Sequence, residues 1–410
     1  MRRVLYLTRN GLLEPLGQSQ VFSYLRGLSR DHAITLITFE KSEDWADGPR
    51  MAQARAQCDA HDIRWRPQKF RARPKLIAPA LSLLRMTWLS WRMARRGEAE
   101  LIHARSYIPA AVGWLVWRLT GVPFIFDMRA LWPEEMITAG RLRRGSLLHR
   151  ALQRLERLCL RDAAAVISLT EAAVEHLKTT YPRELGHQRI RVIPTCADLE
   201  RFTPAETPVD GEIHGCVGTV TSGWFKLDWL EAYFRAVARN DPEARFEVIT
   251  RDDPETVRAQ LDPQGTLGEL SIFACAPADM PEAVRRHSAS AMFFTVGTGK
   301  LGSSPTRLGE TLGCGIPVVA NSGVGDVAGI IARYRVGVLA EDSSDAAMER
   351  AVKQLAELRT DPELPARCRR AAEEVFSLER GTQAYRALYA EILGDRSARQ
   401  PEGGQVANGR

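Results

Sequence analysis

AMFFTVGTGKLGSSPTRLGETLGCGIPVVAN, residues 291–321, is the part of the sequence that says most about the fold. An apolar run is followed by a glycine-rich loop, an amphipathic segment and a second apolar run, which predicts strand, loop, helix and strand. Pro305 suits the first turn of this helix, where the N–H that proline lacks would have no partner. A helix that begins at Ser304–Thr306 presents free N–H groups and the positive end of its dipole, which favours binding of a pyrophosphate.

The residues around this helix start are therefore the first candidates for ligand binding. Gly297, Gly299 and Gly302 would let the backbone approach a ligand closely. Lys300 and Arg307 would supply positive charge opposite the phosphates. The hydroxyl and backbone N–H groups of Ser303, Ser304 and Thr306 would bind phosphate oxygens. Glu310, one turn along the helix, could accept hydrogen bonds from a ribose diol. A glycine-rich turn that merely caps a helix is the alternative, and neither a Walker loop nor a dinucleotide G-x-G-x-x-G follows the first strand.

The same alternation of apolar runs and helical patterns occurs in two blocks of the chain. The apolar runs lie at 4–8, 33–39, 101–104, 123–128, 164–169 and 191–195, and again at 213–220, 244–250, 270–275, 291–296, 317–321 and 336–340. A segment rich in Pro, Thr and acidic residues, 199–211, separates the blocks and is typical of a linker. The alternation predicts an α/β protein with two Rossmann-like, doubly wound domains that face each other across a cleft. We place the first domain at 1–200, the second at 201–376, a terminal helix at 377–394 and a disordered tail at 395–410.

Composition narrows the class of protein. The chain has 410 residues, of which 45% are hydrophobic and 26% charged, as in ordinary globular proteins. Its seven scattered cysteines include no C-x-x-C pair, which argues against a disulfide framework or a zinc site and favours the cytoplasm. The apolar runs are too short to cross a bilayer, and we interpret MRRVLYLTRN, residues 1–10, as a strand instead of a signal peptide.

Basic residues are concentrated in one segment. Ten Lys and Arg and no Asp or Glu occur between Arg64 and Arg96. Within it, residues 75–96 interleave tryptophan and leucine with arginine, which favours a helix lying on an anionic membrane surface, here the inner face of the cytoplasmic membrane. A packed helix with a solvated basic face is the alternative. Nucleic acid is not an expected partner, because no nucleic-acid-binding signature accompanies the charge.

Four segments together resemble one known family. They are LLEPLGQSQVFSYLRGLSR (12–30), FDMRALWPEE (126–135), VIPTCADLERFTP (192–204) and SSPTRLGETLGCGIPVVANSGVGDV (303–327). In this order they are similar to the motifs of glycosyltransferase family 4, in its bacterial polysaccharide-assembly subset. The resemblance implies the GT-B fold, a nucleotide-sugar donor and a last helix that crosses back to the first domain.

The resemblance also assigns residues. Glu310 matches the second glutamate of the family's E-x7-E motif, which holds the nucleotide ribose, whereas the first glutamate falls at Gly302. The loop that clamps the diphosphate in relatives corresponds to residues 218–230, where Gly218 and Lys226 are the candidates, with Arg251 or Arg307 replacing a missing arginine. On the acceptor side the candidates are Gly17, Gln18 and Glu134, beside Glu135.

The catalytic candidates are Asp127, Arg129 and Lys300. A catalytic histidine of relatives is replaced by Asp127 and Arg129, so that Asp127 would orient an acceptor hydroxyl or Arg129. A structural Asp127–Arg129 ion pair is the alternative, and we interpret His103 as a hydrogen-bonded histidine at a strand end. Asp252 and Asp253 have no acidic partners, so we expect neither a metal nor another cofactor.

The resemblance, together with these residues, implies a retaining, metal-independent hexosyltransferase. It would move a sugar from a nucleoside-diphosphate donor to a hydroxyl of a lipid-linked or polysaccharide acceptor in cell-surface glycan assembly. Retention without a nucleophile favours attack on the same face within an ion pair, with the leaving phosphate accepting the proton. A nucleotide-sugar epimerase and a catalytically inactive nucleotide-sugar-binding protein remain alternatives. A nicotinamide-dependent oxidoreductase is disfavoured, because the glycine fingerprint that it predicts near residue 10 is absent.

Overall fold

The computed structural model describes residues 1–70, 77–206 and 211–394. The predicted tail at 395–410 and the first two residues of the predicted surface helix, 75 and 76, lie outside the described residues. Within these residues thirteen strands form two sheets. The first sheet contains β1 (Arg2–Leu7), β2 (His32–Glu40), β3 (Arg64–Lys69), β4 (Leu101–Arg105), β5 (Phe124–Asp127), β6 (Ala165–Ser168) and β7 (Ile190–Val192). The second contains β8 (Ile213–Val217), β9 (Arg245–Ile249), β10 (Glu269–Phe273), β11 (Ala289–Met292), β12 (Val318–Asn321) and β13 (Gly337–Ala340).

Helices connect these strands. In the first half they are α1 (Pro15–Gly17), α2 (Ser23–Leu28), α3 (Ser42–Ala46), α4 (Gly48–Asp59), α5 (Ile77–Arg95), α6 (Tyr107–Thr120), α7 (Trp132–Thr138), α8 (Leu147–Asp162), α9 (Glu171–Thr180) and α10 (Pro182–Leu185). In the second half they are α11 (Leu227–Asn240), α12 (Pro254–Leu261), α13 (Met280–Arg285), α14 (Thr306–Gly313), α15 (Val327–Tyr334), α16 (Asp345–Arg359), α17 (Leu364–Ala371) and α18 (Leu378–Leu393). Two π-helical segments, Gln18–Phe22 and Ala372–Phe376, and a 3₁₀ turn, Thr298–Gly302, complete the set. No helix of the described residues has the length and hydropathy needed to cross a membrane.

Both sheets are doubly wound, as the sequence predicts. Their strand orders are β3-β2-β1-β4-β5-β6-β7 and β10-β9-β8-β11-β12-β13, and the recorded pairings are parallel. The first strand of each sheet lies inside it, because the chain fills one side and then returns to fill the other. Val4 of β1, for example, lies between Ile34 and Leu101, and all three side chains are buried. Strands buried on both faces read as continuous apolar runs, which is why they could be predicted.

Strands β3 and β11 differ most from the sequence prediction. Strand β3, RWRPQK, was not predicted, because as an edge strand it buries only Trp65 and Gln68 between exposed or half-exposed polar residues. Strand β11 ends at Met292, although the apolar run continues to residue 296. Beyond Met292 the side chain of Asn321 takes the place of the backbone hydrogen bonds between strands. Its Oδ1 accepts from the Phe294 N–H at 2.8 Å and its Nδ2 donates to the Phe294 carbonyl at 3.0 Å.

The chain groups into two compact units. The first comprises Met1–Asp127, Leu158–Val166 and the chain from Glu379 on, and the second Met128–Arg157 and Ile167–Leu378. Helix α18 packs within the first unit, where the Tyr389 hydroxyl lies 2.6 Å from Nδ1 of the buried His103. The domain limits expected at residues 200 and 376 stay predictions.

The core of the second unit fixes helix α14. On one side of its sheet, Phe234, Phe246 and Phe293 are buried together with residues of helices α11 and α16. On the other side, Leu308 and Leu312 of α14 pack with residues of α15 and α17. Both leucines are fully buried, so the direction of α14 and the position of its first turn follow from core packing.

Candidate active site

Helix α14 begins at Thr306, close to the predicted start. Pro305 is its N-cap residue, with φ −66° and ψ 118°, and donates no N–H of its own. The Leu308 N–H donates to the Pro305 carbonyl at 3.1 Å, whereas the N–H groups of Thr306 and Arg307 have no acceptor inside the helix, and the positive end of the helix dipole lies there. Thr306 and Arg307 are half-buried at this end. This end of α14 therefore has the geometry that binds anions, and the predicted pyrophosphate site there stays a prediction.

Glu310, one turn into α14, is only 8% exposed. Burial raises the pKa of its carboxyl, and the neighbouring Arg307 guanidinium opposes this by a hydrogen bond and its charge. Arg307 and Glu310 form an ion pair along the helix. The Glu310 carboxylate would therefore accept hydrogen bonds from both a bound ribose and Arg307. The Arg307 guanidinium would at the same time remain next to the start of α14.

The glycine-rich turn lies against helix α7. Cβ atoms at Gly297, Gly299 and Gly302 would meet Thr138, Glu135 and Leu131, in that order. Leu131, Glu135 and Thr138 follow one another at intervals of four and three residues, so they lie on one face of α7, of which Leu131 is the N-cap. We expected these glycines to let a ligand approach the backbone, but the structure gives them another reason, namely the close packing of a helix.

Position 302 has no room for a side chain. A Cβ atom there would lie 2.9 Å from the backbone nitrogen of Leu131 and 3.2 Å from its Cγ. The first glutamate of the E-x7-E motif is therefore replaced by glycine because the start of α7 occupies the space it would need.

Lys300 lies in the same turn and is 8% exposed. Its Nζ lies 3.9 Å from the centroid of the Trp224 ring, within reach of a cation–π interaction. Burial lowers the pKa of Lys300, and the charge of Glu135 opposes this. Burial likewise raises the pKa of Glu135, opposed by Lys300. Sequence reasoning assigned Lys300 but missed Glu135 and Trp224 as its neighbours.

Hydrogen bonds from other segments hold the turn in place. The Thr170 hydroxyl donates to the Leu301 carbonyl at 2.5 Å, and the Gly325 N–H donates to the Lys300 carbonyl at 2.9 Å. The Thr195 N–H donates to the Ser304 hydroxyl oxygen at 3.2 Å. Ser304, a predicted donor ligand, thus anchors the loop to the VIPTCADLERF segment, whereas the Ser303 N–H donates to the Lys300 carbonyl at 3.1 Å.

The loop after β8 carries the other donor-side candidates. Gly218 has φ 133° and faces open space, and Lys226 is the N-cap of α11 with its Nζ 3.9 Å from the Trp229 ring centroid. Arg251 is exposed. Asp252 accepts hydrogen bonds from the N–H groups of Val220 and Thr221 at 2.7 and 2.9 Å, and so fixes the loop.

The adjacent acidic pair has structural uses. Burial would raise the pKa of Asp252, but these backbone hydrogen bonds hold it below its usual range. Asp253 accepts from the Thr256 N–H at 2.9 Å and caps α12. Among the described residues there is no group of three or more His, Cys, Asp or Glu side chains that could hold a metal ion.

Candidates in the first unit are mostly buried. The Gln18 side chain donates to the Leu12 carbonyl at 2.8 Å, and a Cβ at Gly17 would lie 2.0 Å from the Gly11 carbonyl oxygen. Asp127 is wholly buried, with its Oδ2 3.2 Å from Nε2 of His103 and accepting from the Tyr385 hydroxyl at 3.3 Å. In this structure its carboxylate therefore faces a buried polar cluster, not solvent.

Two further candidates belong to the second unit. Arg129 is half-buried and has the left-handed φ of 54°. The Glu134 carboxylate accepts two hydrogen bonds from the Arg144 guanidinium, at 3.2 and 2.5 Å. Glu134 and Arg144 also line a pocket of about 140 Å³ together with Glu156, His176 and Tyr181. The adjacent Glu135, also of the WPEE stretch, accepts no such hydrogen bonds.

Comparison with known proteins agrees with this fold. Residues 18–196 match the family model described as the glycosyl transferase 4-like domain. No curated protein matches the chain. Sucrose-phosphate synthase from Thermosynechococcus elongatus is 14% identical with a TM-score of 0.68, over 96% of this chain and 100% of that one. A glycosyltransferase from Rickettsia africae ESF-5 is 13% identical with a TM-score of 0.70, over 96% and 98% of the two chains.

A third similar structure is that of Anabaena HepE in complex with UDP and glucose, with 15% identity and a TM-score of 0.66 over 95% and 100% of the two chains. At such identities the likeness shows the fold, which is that of the GT-B glycosyltransferases. Together with the match of residues 18–196 to the glycosyl transferase 4-like domain, this fold confirms the resemblance predicted from the motifs.

Proposed function

We propose that this protein is a retaining glycosyltransferase that moves a hexose from a nucleoside-diphosphate sugar to a hydroxyl of a lipid-linked or polysaccharide acceptor, without a metal. The observation that carries the proposal is the end of α14, where free N–H groups, Arg307 and the buried Glu310 lie within one turn. HepE, which shares the fold, was solved with UDP and glucose.

The chemistry follows from where charge develops. As the sugar–phosphate bond breaks, negative charge grows on the departing diphosphate, and fixed N–H dipoles and cations stabilise it without reorganisation. The α14 N–H groups and Arg307 would do this, with Lys226 and Arg251 as further predicted phosphate ligands. Glu310 would orient the nucleotide through its ribose. The acceptor hydroxyl would attack on the face that the diphosphate leaves, and a phosphate oxygen would take its proton.

A donor screen tests this proposal. We would measure the thermal shift given by UDP-, GDP- and dTDP-sugars on wild type, Glu310→Gln and Glu310→Ala, with Glu269→Gln, at an exposed position of β10, as the control. We expect a shift in wild type and control that is lost in both Glu310 variants. No shift with any donor in wild type would refute the proposal. Nucleoside diphosphate released only when acceptor is added supports transfer, whereas turnover of the donor alone would indicate an epimerase.

The membrane part of the proposal rests on helix α5. Leu81, Leu84, Trp88 and Trp91 are 55%, 64%, 50% and 38% exposed, and their spacing of three, four and three residues puts them on one face. Met86, Ser90 and Met93 on the other side are buried. A helix packed through one face therefore exposes a second apolar face.

Charge suits this face to an anionic bilayer. Arg85, Arg92 and Arg95 are exposed on the same helix, and the Arg92 guanidinium lies 5.2 Å from the Trp88 ring centroid. Tryptophan prefers the headgroup level, and each arginine near an anionic surface contributes about 1 kcal/mol of attraction. We accordingly propose that the protein acts at the inner face of the cytoplasmic membrane, where a lipid-linked acceptor would be found.

A further inference from the structure

Two charged side chains beside the glycine-rich turn have no hydrogen-bond partner within the described residues. Lys300 is more than nine-tenths buried, yet its ammonium donates no hydrogen bond and lies 3.9 Å from the centroid of the Trp224 ring. Glu135 is half-buried and its carboxylate accepts no hydrogen bond. The two charges act on each other but do not form a contact ion pair.

Both charged groups are available to a ligand. An ammonium or carboxylate that burial partly removes from water gains from a partner that brings hydrogen bonds. Thr170, Gly325 and Thr195 bind carbonyl and hydroxyl groups of the same turn. One carboxylate and one ammonium are therefore left for a ligand, with the Trp224 ring beside them.

The position of the carboxylate is set by the glycines. The Glu135 Cγ lies 3.0 Å from where a Cβ at Gly299 would be, so the side chain leaves α7 directly over the turn. The turn leads into α14, whose first residue is six positions after Lys300. A group joined to a diphosphate at the start of α14 is thus one short loop away from Glu135 and Lys300.

The mixture of charges selects the chemical class of that group. A second phosphate would be repelled by Glu135, and a purely apolar group would leave both charges unpaired. A neutral polyhydroxyl ring satisfies both, since its hydroxyls donate to a carboxylate and accept from an ammonium. Aromatic faces also pack well against the apolar side of such a ring.

We propose that Glu135 and Lys300 form the subsite for the donor's hexose, with Glu135 accepting hydrogen bonds from sugar hydroxyls and Lys300 donating to them. The inference rests on the proposed function and extends it. Helix α7, which excludes a glutamate from position 302, would thus supply the missing carboxylate from its own sequence.

The test compares a nucleotide with and without its sugar. We would measure Kd by calorimetry for UDP and UDP-glucose, GDP and GDP-mannose, and dTDP and dTDP-glucose, and continue with the pair that wild type binds. The variants are Glu135→Gln and Lys300→Met, with Glu255→Gln, at an exposed position of α12, as the matched control. Thermal unfolding without ligand checks that each variant is folded.

We expect Glu135→Gln to weaken the nucleotide sugar about tenfold or more, the loss of one to two charged hydrogen bonds. The Kd for the plain diphosphate should change by less than about twofold, and the control should match wild type. A variant that still prefers the nucleotide sugar as wild type does, or that loses both ligands equally, would overturn the subsite. Wild type that binds neither ligand would instead overturn the proposed function and the subsite with it.

Discussion

Leu131 occupies the space in front of Gly302, so closely that a methyl group on the glycine would lie 2.9 Å from the leucine's backbone nitrogen. We therefore expect Gly302→Ala to destabilise the protein by about 1–3 kcal/mol. Gly329→Ala in α15 is the control, because a Cβ there meets nothing within 4 Å. Denaturation followed by circular dichroism measures both, and equal stability of the two variants would contradict the packing argument. By the same reasoning Gly302→Glu should not strengthen donor binding.

Asp252 should affect binding through the loop it holds. Asp252→Ala removes the acceptor for the Val220 and Thr221 N–H groups, so the loop bearing Gly218 and Lys226 loses its fixed shape. We expect the Kd for the nucleotide to rise several-fold with a small change in Tm. Asp253→Ala removes a helix cap and should do the reverse, costing about 1 kcal/mol of stability with unchanged Kd. Identical effects of the two variants on Kd would refute the distinction.

The exposed face of α5 predicts binding to anionic vesicles. Wild type should float with vesicles of equal parts phosphatidylcholine and phosphatidylglycerol at low salt, and less at high salt, because the arginine attraction is screened. The double variant Trp88→Ser and Trp91→Ser should stay unbound. Trp45→Ser is the matched control, since Trp45 is 37% exposed but follows Glu43 and Asp44 on α3. Wild type that fails to float at low salt would exclude the membrane proposal.

Glu212 makes stability depend on pH. Burial would raise the pKa of this carboxyl, but hydrogen bonds from His214 and Arg359 lower it from 4.5 to about 2. Because the folded pKa lies below the unfolded one, the stabilisation is full above about pH 4.5 and is lost as the pH falls towards 2. The shift corresponds to roughly 3 kcal/mol, which solvent screening at this partly exposed site reduces to about 1–2 kcal/mol.

Thermal unfolding at several pH values measures this contribution. Wild type should exceed Glu212→Gln in Tm at pH 7, and the difference should shrink below pH 4.5. Glu269→Gln, at an exposed position of β10, should show no such convergence. A difference between wild type and Glu212→Gln that stays constant with pH would rule out the ionised carboxylate as its source.

Separate measurements of stability and turnover distinguish a structural role of Asp127 from a catalytic one. Asp127→Ala removes the buried acceptor that His103 and Tyr385 share, which should cost about 1–3 kcal/mol of stability. The Kd for donor should not change, and Asp59→Ala, at an exposed position of α4, should resemble wild type. A variant with wild-type stability but no transfer would instead establish the predicted catalytic role.

The sequence predicted the parts of the fold that depend on local pattern. The buried strands, helix α14 and its start near Pro305 all follow from apolar spacing and from where proline is tolerated. Strand β3 could not be recognised, because its pairing at a sheet edge needs no apolar run. The end of β11 depends on the side chain of Asn321, which the sequence of the strand itself does not contain.

The candidate site was predictable only where one segment contains it. Lys300, Arg307 and Glu310 lie within eleven residues and were found together. Glu135 acquires its place from packing against a turn 164 residues further along the chain, and a single sequence carries no signal of such a contact. The three glycines were noticed, but their partner in α7 was not.

The buried tyrosines of α18 have a consequence for synthesis of the protein. Tyr385 and Tyr389 bind Asp127 and His103, so the polar cluster inside the first unit is incomplete until residues 378–393 have been made. The second unit, whose residues end at Leu378, leaves the ribosome earlier with all of its own partners. The nascent chain would therefore complete the folding of the second unit first. The first unit would complete its folding only after helix α18 has been made.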